Sequence, residues 1–193
     1  MKDMNASSYI LKSQTPRFGS GEGKGVINES VRGDDIYILV DVCNYSLTYS
    51  LFGHENHMSP DDHFQDLKRI IAAIGGKARR INVIMPFLYE SRQHKRSGRE
   101  SLDCAIGLQE LVNMGVENII TFDAHDPRVQ NAIPLHGFET IQAAYQFIKN
   151  ILRNAPDIKN RQRPSHGDQP GRRRYEPCNL HGKQSWNRYG YVL

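Results

Sequence analysis

Three short runs of β-branched and aliphatic residues alternate with longer amphipathic stretches between residues 35 and 152 of this chain. Each run has the length of a strand and is apolar enough to be buried on both faces, as strands of a parallel sheet are. The runs are Asp35–Val42, Ile81–Met85 and Asn118–Phe122. Parallel strands need crossover connections, so the pattern predicts an α/β fold in which helices flank a parallel sheet.

The amphipathic stretches predict three helices. Ser59 can cap the first helix ahead of Pro60, and Gly75 is expected to end it. The second and third helices are expected over Glu100–Met114 and about Thr140–Leu152. The predicted order is therefore β-α-β-α-β-α.

Positive charge is concentrated at the end of the chain. Residues 160–193 hold seven of the 25 Lys and Arg side chains but only two of the 21 Asp and Glu side chains, which leaves residues 1–159 with 18 basic and 19 acidic groups. A nearly neutral body excludes a nucleic-acid-binding face spread over the domain, because phosphate recognition needs clustered cations. Residues 160–193 also lack apolar periodicity, which predicts a disordered basic tail.

The cysteines and the N-terminus favour a cytoplasmic protein. Cys43, Cys104 and Cys178 lie far apart in the sequence, so neither a disulfide framework nor a structural zinc site is indicated. The N-terminal residues contain no apolar signal region, and no stretch approaches the roughly 18 apolar residues that span a bilayer. A reducing compartment without a membrane partner is expected.

A basic segment directly follows the second predicted strand. Five potential cations stand among residues 92–99, at the carboxyl end of a strand, where parallel sheets bind ligands. Guanidinium groups fork onto phosphate oxygens and stack on purine rings, so this segment suits a nucleotide polyphosphate. A solvated surface loop explains the same spacing equally well.

Asp123 and His125 follow the third predicted strand. In an extended segment they point the same way, where the carboxylate can hold Mg²⁺ and the imidazole a phosphate or a metal-bound oxygen. In the alternative, Asp123 or Asp126 caps a following turn and His125 makes a local hydrogen bond. The Gly-rich segment Phe18–Glu22 lacks the spacing of a phosphate-binding fingerprint and indicates only a turn.

Taken in order, the segments FGSGE, ESVRGDD, SPDDH, PFLYESRQHKR, DAH and AIPLHGF resemble the N-terminal domain of ribose-phosphate diphosphokinases, also called phosphoribosyl-pyrophosphate synthetases. The resemblance spans about residues 16–159 and is most specific at Glu29–Asp35 and at Arg92-Gln93. It implies a phosphoribosyltransferase-like α/β domain. It also implies an enzyme of nucleotide biosynthesis that transfers the diphosphate of ATP to ribose 5-phosphate with Mg²⁺.

The same resemblance implies roles for particular residues. Arg92 and Gln93 match the loop that holds ATP, His125 matches the histidine at the Mg-ATP site, and Asp123 matches its neighbouring carboxylate, so Asp123 and His125 are the expected metal residues. The matches to the loop that reads adenine from an adjacent subunit are Phe18, Ser20 and Glu22. A homo-oligomer is therefore expected, and the catalytic groups at the sugar phosphate belong to a second domain rather than to this chain.

The tail has a further interpretation from its codons. When permitted codons are chosen from Lys159 onward and one adenine is deleted, the translation continues TDNDHLMVISPDEGG, which resembles the family's entry into its second domain. We interpret residues 160–193 as out of frame. The expected organisation is an irregular segment 1–15, a diphosphokinase N-terminal-like domain 16–159 and the tail 160–193, without the family's first β-α unit and second domain.

Three functions follow from these observations. A diphosphokinase fragment that binds ATP at best and is inactive alone is favoured. A non-catalytic regulatory subunit that associates with full-length synthetase subunits is the alternative. Nucleic-acid binding through the basic tail ranks last.

Independent reads of the genomic DNA across the codons for Lys159 and Asn160 are expected to show a run of adenines in which one is additional, either in the gene or in its reading. Removing that adenine should open a continuous frame beyond the codon for Leu193. A DNA sequence in which this removal opens no continuing frame would contradict the interpretation.

Overall fold

The computed structural model describes residues 9–154, and the predicted tail 160–193 lies outside the described residues. In chain order the elements are β1 (Ser13–Gln14), β2 (Val26–Ile27), β3 (Asp35–Leu39), β4 (Thr48–Leu51), β5 (His54–His57), α1 (Pro60–Ile74), β6 (Arg80–Ile84), α2 (Asp103–Asn113), β7 (Val116–Phe122), a 3₁₀-helix (Pro127–Ala132), β8 (Gly137–Ile141) and α3 (Ala144–Asn154). The chain divides into two units, residues 1–149 and 150–193. All strands belong to the first unit, and the described part of the second is the end of α3.

A four-stranded parallel sheet in the order β3-β6-β7-β8 confirms the predicted α/β fold. The three predicted strands are all present, with bounds shifted by one to three residues at their ends. The fourth strand, β8, is not predicted by the sequence, because we expected a helix to begin at Thr140. Instead, Thr140 pairs with Thr121 and Ile141 with Phe122 at the sheet edge.

Both crossover helices lie on the same face of the sheet. The strand order moves in one direction from β3 to β6 to β7, and right-handed crossovers then place successive helices on one side. Lys68 of α1 accordingly reaches Glu110 of α2, with 2.9 Å between Nζ and Oε2. The buried core joins both helices to the inner face of the sheet and includes Phe64, Leu67, Ile71, Ile74, Ile81, Val83, Leu108, Leu111, Val116 and Ile119.

The opposite face of the sheet is partly open. By register, Tyr37 and Leu39 of β3, Phe122 of β7 and Ile141 of β8 share this face, and all four are exposed. The predicted apolar side of the third helix also corresponds to no core, since none of the α3 residues is buried.

Helix α1 has the predicted ends. Ser59 accepts a hydrogen bond from the Asp62 backbone N–H, and the Asp62 carboxylate accepts one from the Ser59 backbone N–H, which forms a capping box ahead of Pro60. Gly75 ends the helix with a φ of 60°, in the left-handed region where glycine is favoured. Helix α2, by contrast, begins three residues later than predicted, because Glu100 is engaged in the preceding loop.

Two antiparallel hairpins precede α1. Strands β1 and β2 pair Ser13 with Ile27, so a residue expected to be irregular is part of a strand. Strands β4 and β5 form a second hairpin within the long polar connection after β3. Its turn residues Phe52 and Gly53 both have positive φ, the geometry of a tight two-residue hairpin turn. No helix among residues 9–154 is long and apolar enough to cross a membrane.

Replacing Ser59 with alanine is expected to lower the free energy of unfolding by about 1 kcal/mol, because the capping box loses its hydroxyl acceptor. Urea denaturation followed by circular dichroism measures this change. Ser59→Thr keeps the hydroxyl and is the matched control. Equal midpoints for the wild type and Ser59→Ala would show that the cap does not stabilise the fold.

Candidate functional site

The candidate site lies along the carboxyl edge of the parallel sheet. Three connections leave the sheet there, after β3, after β6 and after β7, and parallel strands present all of these loops at one edge. The connection after β6 contains the predicted basic segment. The connection after β7 begins at Asp123 and contains His125.

The basic segment is closed onto the start of α2. The Gln93 side-chain amide donates to the Ser101 carbonyl at 2.6 Å and to the Glu100 carboxylate at 3.1 Å. The same carboxylate accepts hydrogen bonds from the Ser97 backbone N–H and hydroxyl. These hydrogen bonds, among which that of the Ser97 side chain has the largest effect, lower the pKa of Glu100 below its usual 4.5. Gln93 therefore fixes the loop in this structure, and a contact of its side chain with ATP stays a prediction.

Arg92 lines a cleft of about 250 Å³ between the β3 and β6 connections. Its side chain is exposed, and Cys43 and Tyr89 share the cleft with it. Burial, followed by the nearby Asp41 carboxylate, raises the pKa of the Cys43 thiol, which disfavours the thiolate. The Tyr89 hydroxyl donates to Asp61 at 2.7 Å, and burial with this hydrogen bond raises the Tyr89 pKa above its usual range. The cleft therefore offers Arg92 as its cation and no ready nucleophile.

His94 joins the β6 connection to the β7 connection. Its Nε2 lies 3.5 Å from Asp126 Oδ2, and its ring centroid lies 5.1 Å from that of His125. Asp126 also caps the 3₁₀-helix, as one of the predicted alternatives has it, by accepting from the Arg128 backbone N–H. Its side-chain hydrogen bond with Arg128 is the main cause that holds the pKa of Asp126 well below its usual value. The carboxylate beside His94 is consequently ionised at neutral pH.

Asp123 stands directly at the end of β7, in a left-handed backbone conformation with a φ of 42°. Such a conformation is unusual for a residue other than glycine, and it is tolerated by aspartate. The exposed carboxylate accepts a hydrogen bond from the Ala143 backbone N–H at 3.2 Å. The backbone is thus not extended at Asp123, and an extended segment is the condition on which the predicted common direction of the Asp123 and His125 side chains depends.

Asp123 and His125 differ in their fit to Mg²⁺. Within the described residues 9–154, no three His, Cys, Asp or Glu side chains converge to hold a metal ion. Mg²⁺ is commonly bound by one or two carboxylates together with substrate phosphates, and it prefers oxygen to imidazole nitrogen. The exposed Asp123 fits that mode, whereas His125 is suited to a phosphate oxygen. The metal assignment of both residues stays a prediction.

Phe18, Ser20 and Glu22 lie at the tip of the first hairpin. Phe18 is 54% exposed, and the Ser20 hydroxyl donates to the Glu22 carboxylate at 2.9 Å. The second hairpin supports this tip, because the Phe52 backbone N–H donates to the Gly19 carbonyl at 2.9 Å. Directly before the tip, the Arg17 guanidinium binds the buried Asp66 of α1.

The structure brings some of the predicted residues together and leaves others apart. His94 links the Arg92 and Gln93 segment to His125, whereas no hydrogen bond, ion pair or ring contact joins Phe18, Ser20 or Glu22 to that group within residues 9–154. Sequence reasoning missed the pairing of His94 with Asp126. A signal was available, since each residue lies in a connection that leaves the same edge of the sheet.

A parallel sheet with flanking helices and a cationic loop at its carboxyl edge defines an α/β domain of the kind that binds ligands at that edge. Residues 4–115 match the family described as the N-terminal domain of ribose phosphate pyrophosphokinase. The chain belongs to this family.

Relatives support the same assignment. Ribose-phosphate pyrophosphokinase 1 of Schizosaccharomyces pombe is 33% identical over 143 residues, which cover 73% of this chain and 31% of that protein. Ribose-phosphate pyrophosphokinase B of Dictyostelium discoideum is 28% identical over 137 residues, which cover 69% of this chain and 38% of that protein. The chain therefore spans about a third of the length of these curated relatives.

A solved structure is similar in fold. Phosphoribosylpyrophosphate synthetase from Mycobacterium smegmatis matches with a TM-score of 0.65 and 23% identity, over 77% of this chain and 45% of that chain. This similarity supports the α/β fold.

The closure of the basic segment is expected to loosen in acid. A carboxyl group with a lowered folded-state pKa contributes stability above its unfolded pKa and loses that contribution as the pH falls through the folded pKa. The Ser97 amide resonance in a ¹⁵N-NMR titration should therefore follow Glu100 with a midpoint below 4.5. Glu100→Gln should abolish the titration of this resonance. A midpoint at or above 4.5 would contradict the observed hydrogen bonds.

Proposed function

We propose that this domain forms the ATP side of a ribose-phosphate pyrophosphokinase active site. The reaction is the transfer of a diphosphate from ATP to ribose 5-phosphate, and Arg92, Gln93 and His125 would bind the nucleotide. The observation that carries the proposal is the cationic loop held against the β7 connection, at the sheet edge where α/β proteins bind ligands.

The charges of the loop suit the phosphates of ATP. Arg92 is exposed at the mouth of its cleft, and Lys95, Arg96 and Arg99 are exposed beside it. Gln93 and Glu100 hold the loop closed from within, so the cations do not have to be ordered at the moment of binding. Preorganised cations stabilise a developing phosphate charge better than mobile ones do.

Mg²⁺ would neutralise phosphate charge when it arrives with the nucleotide. Asp123 would supply one carboxylate oxygen from the end of β7, and His125 would lie beside the phosphates. Phe18, Ser20 and Glu22 would contact the adenine of a nucleotide held by a neighbouring copy, which accounts for their exposure at a hairpin tip away from the loop. A homo-oligomer follows from that arrangement.

The purified 193-residue chain is expected to bind Mg-ATP in isothermal titration calorimetry and to form no phosphoribosyl diphosphate from ribose 5-phosphate. Arg92→Ala should weaken ATP binding about 10- to 100-fold, because a hydrogen bond to a charged group contributes about 1.5–3 kcal/mol. Arg79→Ala is the matched control, since it removes the same charge from an exposed position just before β6, at the opposite edge of the sheet.

Two results would contradict this proposal. Equal ATP affinities for Arg92→Ala and Arg79→Ala would show that the loop is not the nucleotide site. Formation of phosphoribosyl diphosphate by the chain alone would show that this chain itself provides the groups that bind ribose 5-phosphate. A chain that binds no ATP but co-purifies with a full-length synthetase would favour the regulatory function, for which the exposed Leu39 and Phe122 provide a contact surface.

A further inference from the structure

The geometry points to His94 and Asp126 as a positioning pair that fixes the basic loop relative to His125, an inference that rests on the ATP site proposed above. Neither residue was assigned a role in binding. The pair determines where Arg92 lies with respect to the β7 connection.

His94 is the polar link between the two connections. Among residues 9–154, its contacts with Asp126 and His125 are the only hydrogen-bond, ion-pair or ring contacts that join residues 92–99 to residues 123–132. The other hydrogen bonds of Gln93 stay within the β6 connection or reach the start of α2: they join it to Glu90, Glu100, Ser101 and Cys104. Without His94 the loop would stay closed but would not be fixed against His125.

Three groups surround the ring of His94. Its Nε2 lies 3.5 Å from Asp126 Oδ2, and its Nδ1 lies 3.2 Å from the Arg92 carbonyl oxygen. Its plane is tilted by 59° to the ring of His125. The side chains of His94 and Asp126 are each only 12% exposed, so the contact is shielded from water. A change at His94 is therefore transmitted to the backbone of Arg92 directly.

Asp126 is a rigid partner for this ring. It caps the 3₁₀-helix, and its carboxylate receives the Arg128 guanidinium through both oxygens, with Nε 2.9 Å from Oδ1 and Nη2 2.5 Å from Oδ2. A bidentate arginine-carboxylate pair fixes the orientation of the carboxylate as well as its charge. The bonds to Arg128 therefore orient the Asp126 carboxylate independently of His94.

Charge alone does not explain an acidic residue at this place. ATP is a polyanion, and a carboxylate near its phosphates opposes binding by Coulomb repulsion. If Asp126 acted only through its charge, neutralising it would strengthen ATP binding. If it acts by positioning His94 and the loop, neutralising it weakens ATP binding, because binding must then order the loop. The sign of the effect separates the two roles.

The test compares His94→Gln, Asp126→Asn and the double variant of the full chain in ATP titrations. Both single variants should weaken ATP binding by a similar factor, roughly tenfold, and the double variant should be no weaker than either one, as expected for residues that act as a unit. Arg79→Gln is the control and should leave ATP binding unchanged, since it removes an exposed cation at the opposite edge of the sheet that takes part in neither contact. Tighter ATP binding by Asp126→Asn, or additive effects of the two substitutions, would overturn the inference.

A measurement without nucleotide keeps this test independent of the proposed function. In hydrogen exchange, Asp126→Asn should raise the amide exchange rates of residues 92–96, while the Ser97 amide keeps its bond to Glu100. In NMR spectra, the same substitution should shift the ring resonances of His125. Unchanged exchange and unchanged His125 resonances would overturn the positioning role. If the wild type binds no ATP while these ligand-free changes occur, the proposed function fails and the pairing of the two loops stands.

Discussion

Parallel pairing of the four central strands is the constraint on which the site depends. Because β3, β6 and β7 run in the same direction, the three connections that follow them leave the sheet at one edge. The core beneath that edge is closed by α1 and α2 on a single face, and the connections are tied to these helices, as Tyr89 is to Asp61 of α1 and Gln93 to Cys104 of α2. Residues far apart in sequence, such as His94 and Asp126, meet there without any local sequence signal.

The sequence predicts the elements whose local chemistry and burial agree. Helix α1 follows from Ser59, Pro60 and Gly75, because capping, N-terminal proline and C-terminal glycine are local effects. The three strands follow from runs of β-branched and aliphatic residues, although Tyr37, Leu39 and Phe122 stay exposed on the open face of the sheet. The basic loop and Asp123 were also placed correctly at strand ends, because strand ends define the edge of a parallel sheet.

The features that the sequence does not predict depend on partners elsewhere in the chain. Strand β8 carries apolar residues that suit a helix equally well, and only pairing with β7 selects the strand. Glu100 has a good helix propensity, yet hydrogen bonds from Ser97 and Gln93 hold it in the loop, so α2 begins later. The second hairpin depends on a turn whose first residue, Phe52, is rarely found at positive φ.

Two carboxylates in the candidate site make structural contacts. Glu100 closes the basic loop from within, and Asp126 fixes the loop from the neighbouring connection. Cations placed close together repel one another, so a loop that concentrates them needs such internal partners to hold one shape. These acidic residues reduce the net positive charge that the loop presents to a polyanion, but they fix the loop that carries the cationic side chains. In the proposed function, the orientation of the cations therefore matters as well as their number.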